Sequence, residues 1–145
     1  MTRPPVSTIA DQLFYSTVQI EATIAGGVST GTGFLLQYAA GHAVVPVLVT
    51  NKHVLAGATT VSFTLAGLAN GEPMMTGTRL TMTDFSAAQW TGHVDPQVDV
   101  ATMAFGGVLE QMIRDGAPAF YRAFGSELLL TSEQADDLDS IEGVT

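Results

Sequence analysis

The feature that most constrains the fold is a period-two alternation that returns along the chain. In STVQIEATI, Val18, Ile20, Ala22 and Ile24 fall on one face and Thr17, Gln19, Glu21 and Thr23 on the other. Successive side chains of a strand point to opposite faces, so this pattern predicts a half-buried strand. It ends at AGG, a turn signal. GTGFLLQYA predicts a second strand, with Gly31 and Gly33 permitting close backbone approach or a bulge at its start. PVLVTN is almost continuous in apolar residues and predicts a central strand. TTVSFTL turns Val61, Phe63 and Leu65 inward, TRLTMT alternates through Leu80 and Met82, and DVATMAF is an apolar run of strand length opened by Asp99.

Six strands joined by short Gly-rich or polar turns predict an all-β fold, β-rich with short peripheral helices, in the form of an antiparallel six-stranded barrel. Helix is expected only at the edges. TIADQLFYS can give a turn or two near the N-terminus. GVLEQMIRDG pairs Val108 with Met112 and Leu109 with Ile113 at helical spacing, with Gly116 as its stop. TSEQADDLDSIEG offers Thr131 as N-cap with Gln134 three residues on, which is a capping-box pattern. The chain of 145 residues suits one core.

The net charge of −9 is local: residues 1–122 carry eight acidic and five basic side chains, and the remaining acids follow Arg122. Without clustered Lys and Arg there is no footprint for a phosphate backbone, so no nucleic-acid partner is expected. The absence of cysteine excludes disulfides and thiolate metal sites. The start MTRPPVSTIADQLF has neither an apolar h-region nor a cleavage pattern, which predicts a cytoplasmic setting. Mean hydropathy is +0.29, yet no run approaches the roughly 20 apolar residues of a spanning helix, so no membrane association is expected.

His53 stands where the central strand ends, before VLAGA, in which Gly57 is placed to stop a single helical turn. An imidazole, with an ordinary pKa of about 6.5, is suited to taking and returning a proton at neutral pH. Three segments in fixed order, GTGFLL, LVTNKHVL and DVATMAF, resemble the N-terminal half of the trypsin-like (chymotrypsin-fold) serine peptidases, in particular their bacterial branch. The resemblance runs over roughly residues 8–145.

By position, the resemblance implies that His53 is the general base and Asp99, 46 residues on, the carboxylate that orients it. A serine hydroxyl attacks an amide only when an imidazole removes its proton, and a carboxylate fixes the imidazole tautomer. Asp95, before Pro96, is the competing candidate and fits an ordinary turn. The nucleophile has no match. Ser126, Ser132 and Ser140 follow Asp99, and none is followed by the glycine of the family's Gly-x-Ser-Gly loop.

The resemblance therefore implies an arm and short helix over residues 1–16, a first barrel over 17–105, and a helical connection over 106–145 toward a second barrel that has no counterpart here. It implies a protein or peptide substrate for the complete enzyme, no cofactor, and an isolated chain without protease activity. Two other readings stand beside it. One is a non-catalytic barrel whose open apolar face binds a partner or a second copy. The other is a zinc or manganese site built from His53, His93, Asp95 and Asp99. Trp90 is expected to pack at the rim, Lys52 to point away from its neighbour His53, and His42 to sit in a hairpin loop.

Overall fold

A computed structural model of the protein describes residues 14–125. The nine strands are β1 (Thr17–Ile24), β2 (Gly27–Ala40), β3 (Ala43–Thr50), β4 (Thr60–Ala69), β5 (Glu72–Met82), β6 (Thr91–Gly92), β7 (Ala101–Ala104), β8 (Ala119–Phe120) and β9 (Phe124–Gly125). Two helices, α1 (Lys52–Leu55) and α2 (Gly106–Arg114), interrupt them, with a 3₁₀ turn at Ala87–Gln89.

The principal sheet runs β5-β4-β1-β2-β3-β7-β6, with β8 on β4 and β9 on β2. Every pairing is antiparallel except that of β2 with β9. β1, β2 and β3 follow one another as hairpins, and β4 returns to lie beside β1, which is Greek-key order. The connection that makes this return, residues 51–59, carries α1 and with it His53.

Alternation became burial as expected. Val18, Ile20 and Ala22 of β1 and Val61, Phe63 and Leu65 of β4 are buried, and the neighbouring strands align Ile20 with Phe63 and Ala22 with Val61. These side chains join Leu35, Leu48, Met103 and Phe105 in one core cluster, against which Trp90 packs half-buried at the rim. His42 lies in the turn between β2 and β3.

The expected six-stranded barrel is not what forms. The sheet is open: β5 and β6 end it and are not paired with each other. Between them, residues 83–90 turn through the Ala87–Gln89 helix, whose N-cap Ser86 and Gln89 form a reciprocal capping box. β6 then contributes only two residues and β7 four, too little ladder to span the gap.

The helical stripe of α2 also differs from its expected form. Val108, Leu109 and Met112 are buried, whereas Ile113 points outward at 63% exposure. A helix laid on one side of a core buries one stripe, and 108, 109 and 112 fill it. Its end is a Schellman motif, with the Gly116 N–H donating to the Ile113 carbonyl at 3.0 Å and the Ala117 N–H to the Met112 carbonyl at 2.9 Å. The stretch around Phe120 forms the short strand β8, and the Arg122 guanidinium lies 4.6 Å from the Phe120 ring centre. Residues 1–13 of the expected arm and 126–145 of the expected connection, including Ser126, Ser132, Ser140 and the helix expected from Thr131, lie outside the described residues.

Candidate active site

β3 delivers the site. Its last residue, Thr50, is buried and donates its hydroxyl to the Thr32 carbonyl of β2 at 3.0 Å, pinning the strand end. The chain then winds into α1, so Lys52 and His53 are on a helical turn rather than on a strand. Val54 and Leu55 bury the inner side of that turn. Gly57 follows at φ +76°, a left-handed conformation that glycine adopts without a Cβ penalty, and the turn stops.

The two glycines of GTG make room for this arrangement. A Cβ on Gly31 would collide with the Val54 side chain of α1, and one on Gly33 would sit 2.8 Å from the Val49 carbonyl oxygen. Gly31→Ala is therefore expected to push α1 outward. Overpacking of this kind costs about 1–3 kcal/mol, read as a lower melting temperature together with a shifted His53 ring resonance. Unchanged resonances in the variant would contradict this role.

Asp99 arrives from the other side, on the loop between β6 and β7. It lies two residues before β7 rather than on the strand itself. One carboxylate oxygen, Oδ1, accepts the His53 backbone N–H at 3.0 Å, and the other, Oδ2, is hydrogen-bonded to His53 Nδ1. An ionised carboxylate has no proton to give, so Nδ1 is the donor, and in the neutral form of the ring the lone pair is then on Nε2. Among the described residues nothing bonds Nε2, and the imidazole is 68% exposed, open to an incoming group.

The His53 side-chain hydrogen bond holds the Asp99 carboxyl below its ordinary range. Desolvation opposes it, and the His53 backbone N–H, the imidazole charge and the Lys52 backbone N–H add to it. A carboxyl lowered in the fold contributes stability that is present above the ordinary carboxylate pKa of about 3.9 and is lost as the pH falls through the lowered value. A carboxyl-carbon NMR titration is expected to place Asp99 below the ordinary range, and His53→Ala to raise it. Equal midpoints in the two proteins would contradict the coupling.

Of the sequence candidates, the structure brings His53 and Asp99 together and leaves the others apart. Asp95 forms an ordinary turn: its Oδ1 accepts the Gln97 N–H at 2.9 Å and its carbonyl the Val98 N–H at 3.0 Å. His93 Nδ1 accepts the Asp95 N–H at 3.0 Å. Among the described residues no group of three or more His, Asp or Glu side chains is arranged to hold a metal ion.

Two further residues tie the Asp99 loop to α1. Asn51 Nδ2 donates to the Asp99 carbonyl at 2.8 Å, and Lys52 Nζ donates to the Asp95 carbonyl at 3.0 Å. Their one sequence signal is two polar side chains, Asn51 and Lys52, between a buried strand and the histidine. No helix among the described residues is long and apolar enough to cross a membrane. No protein-family model, no curated protein and no solved structure matches the chain.

Proposed function

We propose that the chain is the N-terminal part of a trypsin-like serine endopeptidase, in which His53 is the general base and Asp99 its orienting carboxylate. One observation carries the reading: Asp99 holds Nδ1 and the backbone N–H of an exposed histidine on the helical turn that follows β3, leaving Nε2 open. A serine hydroxyl brought to Nε2 gives up its proton there as its oxygen attacks the peptide carbonyl carbon. The imidazolium, stabilised by Asp99, returns that proton to the leaving amine. A water molecule, deprotonated by the same nitrogen, then hydrolyses the acyl-serine.

Under this reading the serine comes from outside these 145 residues, from further chain that also covers the open sheet and supplies the donors for the oxyanion. The substrate is a protein or peptide, and no cofactor takes part. The isolated 145-residue chain is accordingly expected to stay unlabelled by a fluorophosphonate probe, as read by intact mass. Stoichiometric labelling would place a competent nucleophile within the chain and overturn that division of roles.

A second reading, a non-catalytic β-rich interaction module, is favoured by a different observation. Phe34 and Tyr38 share the outer face of β2, 40% and 53% exposed, beside half-buried Val45 and Val49 of β3. Under it, these two rings are covered in a complex with a partner or a second copy, and His53 has no turnover to support.

A further inference from the structure

Asn51 occupies the N-cap of α1, where an asparagine side chain ordinarily accepts a hydrogen bond from the first helical N–H groups. It makes no such bond. Its amide instead reaches a residue 48 positions away and donates to the Asp99 carbonyl at 2.8 Å. Lys52 does likewise one residue later, with its ammonium on the Asp95 carbonyl at 3.0 Å. Its aliphatic stem runs over Gly92, where a Cβ would lie 3.0 Å from the Lys52 Cε. Two adjacent side chains thus forgo local partners for the same distant loop.

That loop is stiffened from within. The His93 N–H donates to the Val100 carbonyl at 2.8 Å and closes its base. The Asp95 N–H bonds His93 Nδ1, and the Asp95 carboxylate and carbonyl take the Gln97 and Val98 N–H groups. A loop so closed, and fastened to α1 at the carbonyls of residues 95 and 99, has little freedom to swing its carboxylate away from the imidazole. The Asp99 side chain is 45% exposed and stands two residues before β7, outside the sheet ladder. The fastening of the loop backbone therefore adds to the His53 backbone N–H on Oδ1 in holding its direction.

We infer that Asn51 and Lys52 are positioning residues, which clamp the 95–99 loop onto α1 and so keep the Asp99 carboxylate on His53. The clamp is a matter of geometry in the folded chain and rests on the peptidase reading only for the use made of that geometry.

The test needs no turnover. In the folded 145-residue chain, the Asp99 carboxyl titration and the low-field proton on His53 Nδ1 are recorded by NMR for the wild type, Asn51→Ala, Lys52→Met and Lys52→Arg. Asn51 is exposed and makes no capping bond, so its loss leaves the fold in place. Asn51→Ala and Lys52→Met are expected to move the Asp99 midpoint up toward that of His53→Ala and to weaken the low-field proton signal. Lys52→Arg, which keeps a cationic donor, is expected to retain both wild-type values.

A residue that only stabilised the surface would lower the melting temperature and leave both signals alone. Wild-type midpoints and proton signals in both Asn51→Ala and Lys52→Met overturn the clamp and leave the peptidase reading standing. A wild type with an ordinary Asp99 midpoint and no low-field proton overturns the clamp and the His53–Asp99 pair together.

Discussion

Replacing His53 with alanine in the protein expressed from its whole reading frame is expected to lower kcat for a peptide substrate by about a million-fold. The size follows from the role. Under the proposed role, loss of the imidazole leaves the serine proton without an acceptor in the attack and the water proton without one in the acyl-hydrolysis step, and both barriers rise. A million-fold is about 8 kcal/mol of transition-state stabilisation, far beyond what a positional or packing change at an exposed side chain produces. Asp99→Asn keeps the shape but offers Nδ1 the wrong partner, and a loss of about ten-thousand-fold is expected. KM is expected to move little in either variant, because neither group is assigned to substrate binding. A His53→Ala variant within tenfold of wild type would remove the histidine from the chemistry, whatever the geometry at Asp99.

The largest expected effect on stability belongs to Phe63. It is fully buried on β4, aligned with Ile20 of β1 and Leu80 of β5, and its ring meets that of Phe105 edge-on with centres 5.2 Å apart. Phe105 follows β7 and heads α2, so this ring pair joins the two arms of the open sheet through the core. Truncation of a buried phenylalanine costs about 3–5 kcal/mol through lost transfer energy and the cavity left behind. Against the 5–15 kcal/mol typical of a domain, Phe63→Ala is expected to lower the melting temperature by about 10–20 °C. The Asp99 midpoint in the remaining folded protein is expected to stay at its wild-type value, since Phe63 is fully buried in the core whereas Asp99 is hydrogen-bonded to His53 at the surface. A loss below 1 kcal/mol would mean that the two arms are joined by something other than this pair.

The two effects separate what was legible in the sequence from what was not. Inward faces such as Val18-Ile20-Ala22 and Val61-Phe63-Leu65 were legible, because a strand between core and water writes its environment into every second residue. Closure was not. Whether β5 meets the far edge of the sheet depends on how far short strands such as β6 extend, and alternation within β5 carries no record of a partner it lacks. Helical spacing relates Val108 to Met112 and Leu109 to Ile113 alike, and only the position of the core decides that Val108, Leu109 and Met112 are buried and Ile113 is not.

At the site, His53 and Asp99 were named from motif resemblance, and the structure brings the two together. The choice of Asp99 over Asp95 agrees with the turn that Asp95 makes with Gln97 and Val98. The parts of Asn51 and Lys52 were not legible, because each acts on a carbonyl more than forty residues away, and the sequence alone does not reveal which loop folds back over α1.

The central claim is that His53, oriented by Asp99, activates a serine. The most direct measurement is fluorophosphonate labelling of the protein expressed from its whole reading frame, with the adduct located by peptide mass and compared across wild type, His53→Ala and Asp99→Asn. The account predicts one labelled serine outside these 145 residues in the wild type, no label in His53→Ala, and strongly slowed labelling in Asp99→Asn. No adduct in the wild type, or an adduct that forms equally well without His53, would contradict it.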